Sequence, residues 1–282
     1  MQVIKSSGVI ERFDKKKIYK TIRDAGGSKK LAKEAVNEIR RKFNKNISTR
    51  DILLFLIKYL EREPGVSQRY DLKRAIMSLG PSGFPFEKFF ARVLEHYGFK
   101  TTVGNKLKGK SVYQEVDIIA VNKKKWMIEC KYHNESGVIT KLHVALYTHA
   151  RFLDLKSYNF DAAWLVTNTK CSIEAIKYAK GVGLKVTSWK YPNEDNLEKL
   201  IEKKGLYPMT ILKSISNEVL NKMYDSGFII AKDLLDYTEY DLSRRIGVDK
   251  KIAAKIIEEV KAVCRVSESK KRIRFPFASS SN

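Results

Sequence analysis

Residues 126–133 read WMIECKYH, and this octapeptide constrains the fold more than any other stretch of the chain. Its alternation marks a strand with Trp126, Ile128 and Cys130 on one side and Met127, Glu129 and Lys131 on the other, because strand side chains alternate with a period of two. Apolar residues on both faces place the strand inside a sheet that helices flank. Ionised side chains are seldom buried unless paired or bound to a metal. Glu129 and Lys131, side by side on one face, therefore call for chemistry as well as packing.

The surrounding pattern completes that sheet. A helix is expected over Pro85–Tyr97, then strands over Phe99–Val103, Tyr113–Val121 and Lys125–Tyr132. A helix over about Ile139–Phe152, a fully buried strand Ala162–Thr167, a helix Ser172–Lys180 and a strand Leu184–Trp189 follow. The order α-β-β-β-α-β-α-β predicts a mixed sheet with helices against it. Before it, Gly80-Pro81-Ser82-Gly83 marks a boundary, preceded by a hairpin over residues 3–13 turning at Ser6-Ser7-Gly8 and four helices. Asp14 and Ser28 are the expected caps of the first two helices, and the fourth is expected from about Gln68 to Leu79. After the sheet come a polar linker, 191–208, a helical segment, 209–264, punctuated at Gly227 and Gly247, and a disordered basic tail, 265–282. The fold class is α+β multidomain, with domains at 1–80, 81–190 and 209–264.

Charge points to a partner. The chain has 55 Lys and Arg against 32 Asp and Glu, a formal +23. The excess sits in the first two domains and the tail, residues 209–264 being balanced. Such an excess suits a polyanion, most often nucleic acid. The longest apolar run, Ile52–Ile57, is far short of a membrane span, and the N-terminal residues lack the apolar stretch of a secretory signal. Three scattered cysteines without a CxxC pair exclude a disulfide framework and a zinc ribbon, and imply a reducing, cytoplasmic setting with no membrane partner.

Asp117 stands where the second strand turns apolar (DIIAV) and, in a hairpin, approaches Glu129 and Lys131. Two carboxylates, Asp117 and Glu129, with the main-chain carbonyl of Cys130 between them suit a hard divalent cation, Mg²⁺ or Mn²⁺. Such an ion lowers the pKa of bound water and stabilises charge on a phosphoryl group. Lys131 can orient the water or neutralise the developing anion. The Cys130 thiol faces the core.

The pattern Asp117…Glu129-x-Lys131, with GFPFEKFFARVLEHYGF before it and AAWLVTNTKCSIEAIKYAK after it, resembles the PD-(D/E)xK nucleases, most closely their Mrr-type restriction endonuclease branch. The resemblance covers about residues 83–190. It implies that Asp117 and Glu129 hold metal, that Lys131 is catalytic and that Glu87, on the preceding helix, supports the site. Related nucleases often carry Gln-x-x-x-Tyr on the next helix, where this chain has His143-x-x-x-Tyr147. His143, Tyr147 and Arg151 are expected near the phosphate or the nucleic acid.

At the N-terminus, Lys5, Arg12, Lys15, Lys16 and Lys17 gather around a helix start, which suits either a phosphate site or a solvated, DNA-facing patch. The string VIKSSGVIERFDKKKI resembles the ATP-cone over about residues 1–79. The matching residues are Val3, Lys5, Gly8, Glu11, Asp14, Lys17 and Ile18, with Thr49 further on; Ser6 and Leu53 depart from the family's usual Arg and His. The resemblance implies a regulatory site for ATP or dATP, without hydrolysis. No GxxxxGK[ST] loop is present.

Residues 211–262 resemble tandem helix-hairpin-helix domains, the second hairpin at Ile246-Gly247-Val248-Asp249. Asp249 stands in place of a usual glycine, so both nonspecific DNA contact and a protein-interaction or dimerisation role stay open. The chain thus reads as a metal-dependent DNA endonuclease regulated by an adenine nucleotide, with a homodimer suited to duplex cleavage. A nucleotide-responsive DNA-binding protein without catalysis and a nuclease acting on RNA are the alternatives.

Overall fold

Local signals near the N-terminus set up a small sheet under three helices. The computed structural model describes residues 1–5, 8–43, 46–80, 84–135 and 137–264. Ser6 and Ser7 of the first turn, Pro81–Gly83 of the boundary and the tail lie outside the described residues. Strands β1 (Gln2–Ile4) and β2 (Ile10–Arg12) pair antiparallel. The Asp14 carboxylate then accepts from Lys16 N at 2.8 Å and starts α1 (Lys15–Asp24). The Ser28 hydroxyl caps α2 (Lys29–Lys42) in the same way. A two-residue strand, β3 (Ile47–Ser48), adds parallel to β1 and was not anticipated, being too short to carry a periodicity. Helix α3 (Thr49–Tyr59) follows. The single helix expected over 68–79 is two, α4 (Val66–Tyr70) and α5 (Leu72–Met77).

The second region is the expected mixed sheet. Helix α6 (Phe84–His96) precedes β4 (Lys100–Lys108), β5 (Tyr113–Val121) and β6 (Lys125–Lys131). Next come β7 (Ile139–Thr140), α7 (Leu142–Asp154), β8 (Ala162–Thr167), β9 (Lys170–Cys171), α8 (Ile173–Gly181) and β10 (Lys185–Thr187). The sheet runs β10-β8-β6-β5-β4, with β4, β5 and β6 antiparallel and β6, β8 and β10 parallel. Strand β4 is longer than expected because it continues past Gly104, whose φ of 70° a strand pattern does not anticipate. One face packs on α6 through Phe86, Phe89, Phe90, Ile118, Ile128 and Trp164. The other packs Met127, Val144, Ala145, Leu165, Ala175 and Val186.

The segment expected as a polar linker is a structural element. Helix α9 (Leu197–Lys204), capped by Asn196, buries Leu197, Leu200 and Ile201. Its polar residues lie on the outer side of an amphipathic turn pattern, which composition alone does not separate from a loop. Helices α10 (Asn217–Asp225), α11 (Glu239–Ile246) and α12 (Lys250–Cys264) follow. Their apolar residues join α5, α6 and one face of the sheet in a single core.

The first region docks on α12. The Arg69 guanidinium donates to the main-chain oxygens of Ala25 at 2.7 Å, Ala262 at 2.9 Å and Val263 at 3.1 Å, satisfying carbonyls at two helix ends. Glu259 accepts from Gln68 Nε2 and from the main-chain N–H groups of Lys213 and Ser214. Gly65, with φ 77°, lets the chain pass so close that a Cβ there would meet Ala262 O at 2.2 Å.

Candidate active site

The site forms where β5 and β6 part. Their ladder runs from Val121 opposite Lys125 to Ile118 opposite Ile128 and stops there, while β6 continues beside β8 through Lys131 opposite Thr167. The Cys130 N–H donates instead to Asp117 Oδ2, at 2.6 Å. This bond ties the Asp117 carboxylate to β6 between Glu129 and Lys131.

Helix α7 supplies the partners of Glu129. Tyr147 and Arg151, one turn apart, are its hydrogen-bond and ion-pair donors: Tyr147 Oη donates to Oε1 at 3.0 Å and Arg151 Nη1 to Oε2. Glu129 is 8% exposed, and this pairing is what makes its burial tolerable. Glu87 sits in the first turn of α6.

Three carboxyl groups push one another towards protonation. Burial, reinforced by the Glu129 charge and opposed by the Cys130 N–H, raises Asp117 to about 8. Burial also raises Glu129, against the pull of Arg151, Tyr147 and Lys131. Glu87 is raised by burial, then by Glu115 and Glu129. Like charges gathered out of water are costly unless a cation joins them.

Among the described residues no group of three or more His, Cys, Asp or Glu side chains is set to cage a metal ion. A Mg²⁺ site needs fewer protein ligands, since the ion keeps several waters and takes one or two carboxylates. Asp117, Glu129 and the Cys130 carbonyl are hard oxygen donors, and the mutual repulsion of the carboxylates fits them for a divalent cation. The Cys130 side chain belongs to the core on the α6 face, and burial pushes its thiol well above the ordinary range.

Tyr147 and Arg151, expected near the phosphate or the nucleic acid, have polar atoms on Glu129. The one-turn spacing of the two residues on an inward helix face was the signal for that role. Arg151 Nε is buried without an acceptor among the described residues, so the same side chain retains a donor beyond its ion pair. A hollow of about 490 Å³ beside the pair is lined also by Gln114 and Asp154. His143 is exposed in the first turn of α7 and lines a separate surface hollow with Leu146, His149 and Tyr178.

Residues beyond Lys131 join the site to the first region, a link the sequence did not disclose. Tyr132 Oη donates to Met77 O at 2.6 Å, and Asn168 Nδ2 approaches Met77 Sδ at 3.2 Å. Asn168 also accepts from His133 N and donates to His133 O.

The first region has its own pocket, about 300 Å³ in volume. Val3, Lys5, Glu11, Asp14, Lys17, Ile18 and Thr49 all line it, with Arg12, Thr21, Leu53 and Tyr70 among the rest. Lys5 and Glu11 pair across the hairpin at 3.0 Å. Arg12 belongs to the basic group expected around the helix start, whereas Thr21 and Tyr70 were not anticipated as lining residues, Tyr70 because the end of α4 is brought there only by tertiary packing.

A mixed sheet with a carboxylate pair and a lysine where two strands part defines a restriction-endonuclease-like core. Comparison with known families agrees: residues 1–75 match the ATP cone domain, 80–193 the restriction endonuclease family of Mrr type and 207–264 the AF1548-like C-terminal domain. A protein of Archaeoglobus fulgidus described as uncharacterized is 45% identical over 174 residues, 61% of this chain and 98% of that protein. A solved structure titled as the protein of unknown function AF1548 matches with a TM-score of 0.58 at 42% identity, over 65% of this chain and 98% of that one. The chain belongs to this family of Mrr-type restriction-endonuclease-like proteins with an AF1548-like C-terminal domain, and it carries an ATP-cone as well. Among the described residues no helix is long and apolar enough to cross a membrane.

Proposed function

We propose that the chain is a divalent-cation-dependent nuclease that hydrolyses phosphodiester bonds in DNA, under the control of an adenine nucleotide in the ATP-cone. The observation that carries this reading is the meeting of Asp117, Glu129 and Lys131 where β5 and β6 part. Asp117, Glu129 and the Cys130 carbonyl hold the cation. When bound, Mg²⁺ or Mn²⁺ supplies an activated water and charge stabilisation at the phosphoryl group. Tyr147 and Arg151 fix the Glu129 carboxylate, and the Cys130 N–H fixes that of Asp117, so neither has to reorganise during the reaction. Lys131 offers its ammonium to the developing anion, and Glu87 adds negative charge that strengthens cation binding. The strongly basic surface draws the polyanion in.

Regulation has a physical route. The cone pocket and the end of β6 are joined through α4 and α5, whose Met77 carbonyl holds Tyr132, the residue after Lys131. A nucleotide that shifts α5 would therefore move the strand end that carries the lysine.

The test is nicking of supercoiled plasmid with Mg²⁺ or Mn²⁺, compared among parent, Asp117→Asn and Lys131→Ala, with and without ATP or dATP. Metal-dependent nicking by the parent alone is expected, with a rate that changes on adding nucleotide. Binding of plasmid without nicking by all three proteins would favour a noncatalytic DNA-binding protein. Cleavage of RNA but not plasmid would reassign the polymer.

A further inference from the structure

Another cavity, about 670 Å³, lies on the face of the sheet opposite Glu129, at the other end of β6. Its size falls within the usual range for a small-molecule site, roughly 300–1,000 Å³. Tyr97, Phe99, Trp126 and Trp164 give it aromatic walls, and Lys123, Lys124 and Lys185 line it as well. The Trp126 and Trp164 rings are 5.6 Å apart, edge to face.

Two groups in this cavity lack the partners their chemistry calls for. The ammonium of Lys185, on β10, lies 3.4 Å from the centre of the Trp164 ring and 5.2 Å from that of Trp126. Among the described residues it has no carboxylate within ion-pair distance. The one acid lining the cavity, Asp195, pairs with Lys203 at 3.0 Å. Burial lowers Lys185 to about 8, against a weaker pull from Asp195. The second group is the Trp126 indole N–H, buried without an acceptor among the described residues, whereas that of Trp164 donates to Thr187 Oγ1 at 3.1 Å. A buried donor without an acceptor is rare and costly.

A ligand that answers all of these features is flat and aromatic, carries a hydrogen-bond acceptor on its ring and bears an anion. We propose that this cavity binds a nucleotide unit, its base against the aromatic walls with an acceptor for the Trp126 N–H, and its phosphate at Lys185, Lys123 and Lys124. The choice of a nucleotide over another aromatic anion rests on the nuclease reading above; the cavity and its unpartnered groups do not. The unit is either a free mononucleotide or the terminal nucleotide of a DNA strand. Stacking of bases on aromatic side chains and salt-sensitive contacts from lysine are the usual means of holding either. The site is distinct from the carboxylates, since Trp126 and Glu129 point to opposite faces of β6.

Tryptophan fluorescence reports directly on this cavity, because two of the three tryptophans line it and the cone has none. The full chain would be titrated with dAMP, dTMP, deoxyadenosine, inorganic phosphate, benzoate and a 5′-phosphorylated dT₆ oligonucleotide. The titrations would be repeated with Lys17→Ala, which blunts the cone pocket, and with Lys185→Met and the exposed pair Lys123→Ser/Lys124→Ser. The expected result is saturable quenching by a mononucleotide or the oligonucleotide that persists in Lys17→Ala. It should weaken at least tenfold in Lys185→Met and about threefold in the rim double variant. Tighter binding of the oligonucleotide than of dTMP assigns the unit to a strand end, and the reverse to a free nucleotide.

Quenching lost in Lys17→Ala would place the effect in the cone and overturn the proposal. So would binding that is the same for deoxyadenosine as for dAMP, or that is confined to benzoate, or no saturation below the millimolar range. The plasmid assay reads the carboxylate site, so an inactive nuclease that still quenches, or an active one that does not, separates the two readings.

Discussion

The two ends of β6 present one physical problem with opposite signs. At the Lys131 end, Asp117, Glu129 and Glu87 gather negative charge, and burial raises all three. At the Trp126 end, on the face opposite Glu129, Lys185 is a positive charge without an ion-pair partner among the described residues, and burial lowers it. The acidic end is better supported by protein: Glu129 has Tyr147 and Arg151, and Asp117 has the Cys130 N–H. At the basic end Lys185 has the ring faces of Trp164 and Trp126 and the weaker pull of Asp195. A built constellation of partners accompanies a site that must hold fixed geometry during a reaction, whereas binding alone tolerates a looser one.

Loss of Asp117 gives the largest expected effect and breaks the acidic end outright. Asp117→Asn lowers metal-dependent nicking by roughly a thousandfold or more, and Lys131→Ala by roughly a hundredfold, measured as single-turnover rates. Tyr147→Phe removes one hydrogen bond to Glu129 and costs nearer fivefold, about 1 kcal/mol of positioning. Gly65→Ala touches neither end and serves as the structural contrast. Its Cβ meets the Ala262 carbonyl at a φ of 77°, so it destabilises the docked arrangement by more than about 1 kcal/mol, read as a lower denaturation midpoint.

Opposite signs also predict opposite pH slopes in ligand-free protein. Asp117 moves from an ordinary 3.8 to about 8 in the fold. Between those values the folded state keeps a proton that the unfolded state has lost, so stability falls as pH rises from 4 to 8. Lys185 moves from 10.5 to about 8. Between these values the unfolded state holds the extra proton, so stability rises with pH over that window. Melting temperatures across pH 4–10.5 should show a fall that Asp117→Asn removes and a smaller rise that Lys185→Met removes.

The readable parts of the chain were those set by local chemistry. Asp14 and Ser28 cap helices as their positions suggest, Tyr113–Val121 forms a strand as expected, and Val3, Lys5, Glu11, Asp14, Lys17 and Ile18 of the cone string line one pocket. What escaped depended on contacts between distant segments. Strand β3 exists through its pairing with β1, α9 through the core that covers Leu197 and Ile201, and the Tyr132–Met77 bond through docking of α5. The approach of Asp117 to β6 beside Glu129 was legible because ionisable residues in a buried strand stand out. The pairing of Tyr147 and Arg151 with Glu129 had only their one-turn spacing as a signal, because which way a helix turns its polar side chains is decided by the sheet beneath it.

Titration of the protein with Mn²⁺ by calorimetry, without nucleic acid, tests the acidic site most directly. The parent and Lys185→Met should bind the cation alike, while Asp117→Asn should lose binding. Equal binding by all three proteins, or none by the parent, would contradict the assignment of Asp117 and Glu129 as the cation site.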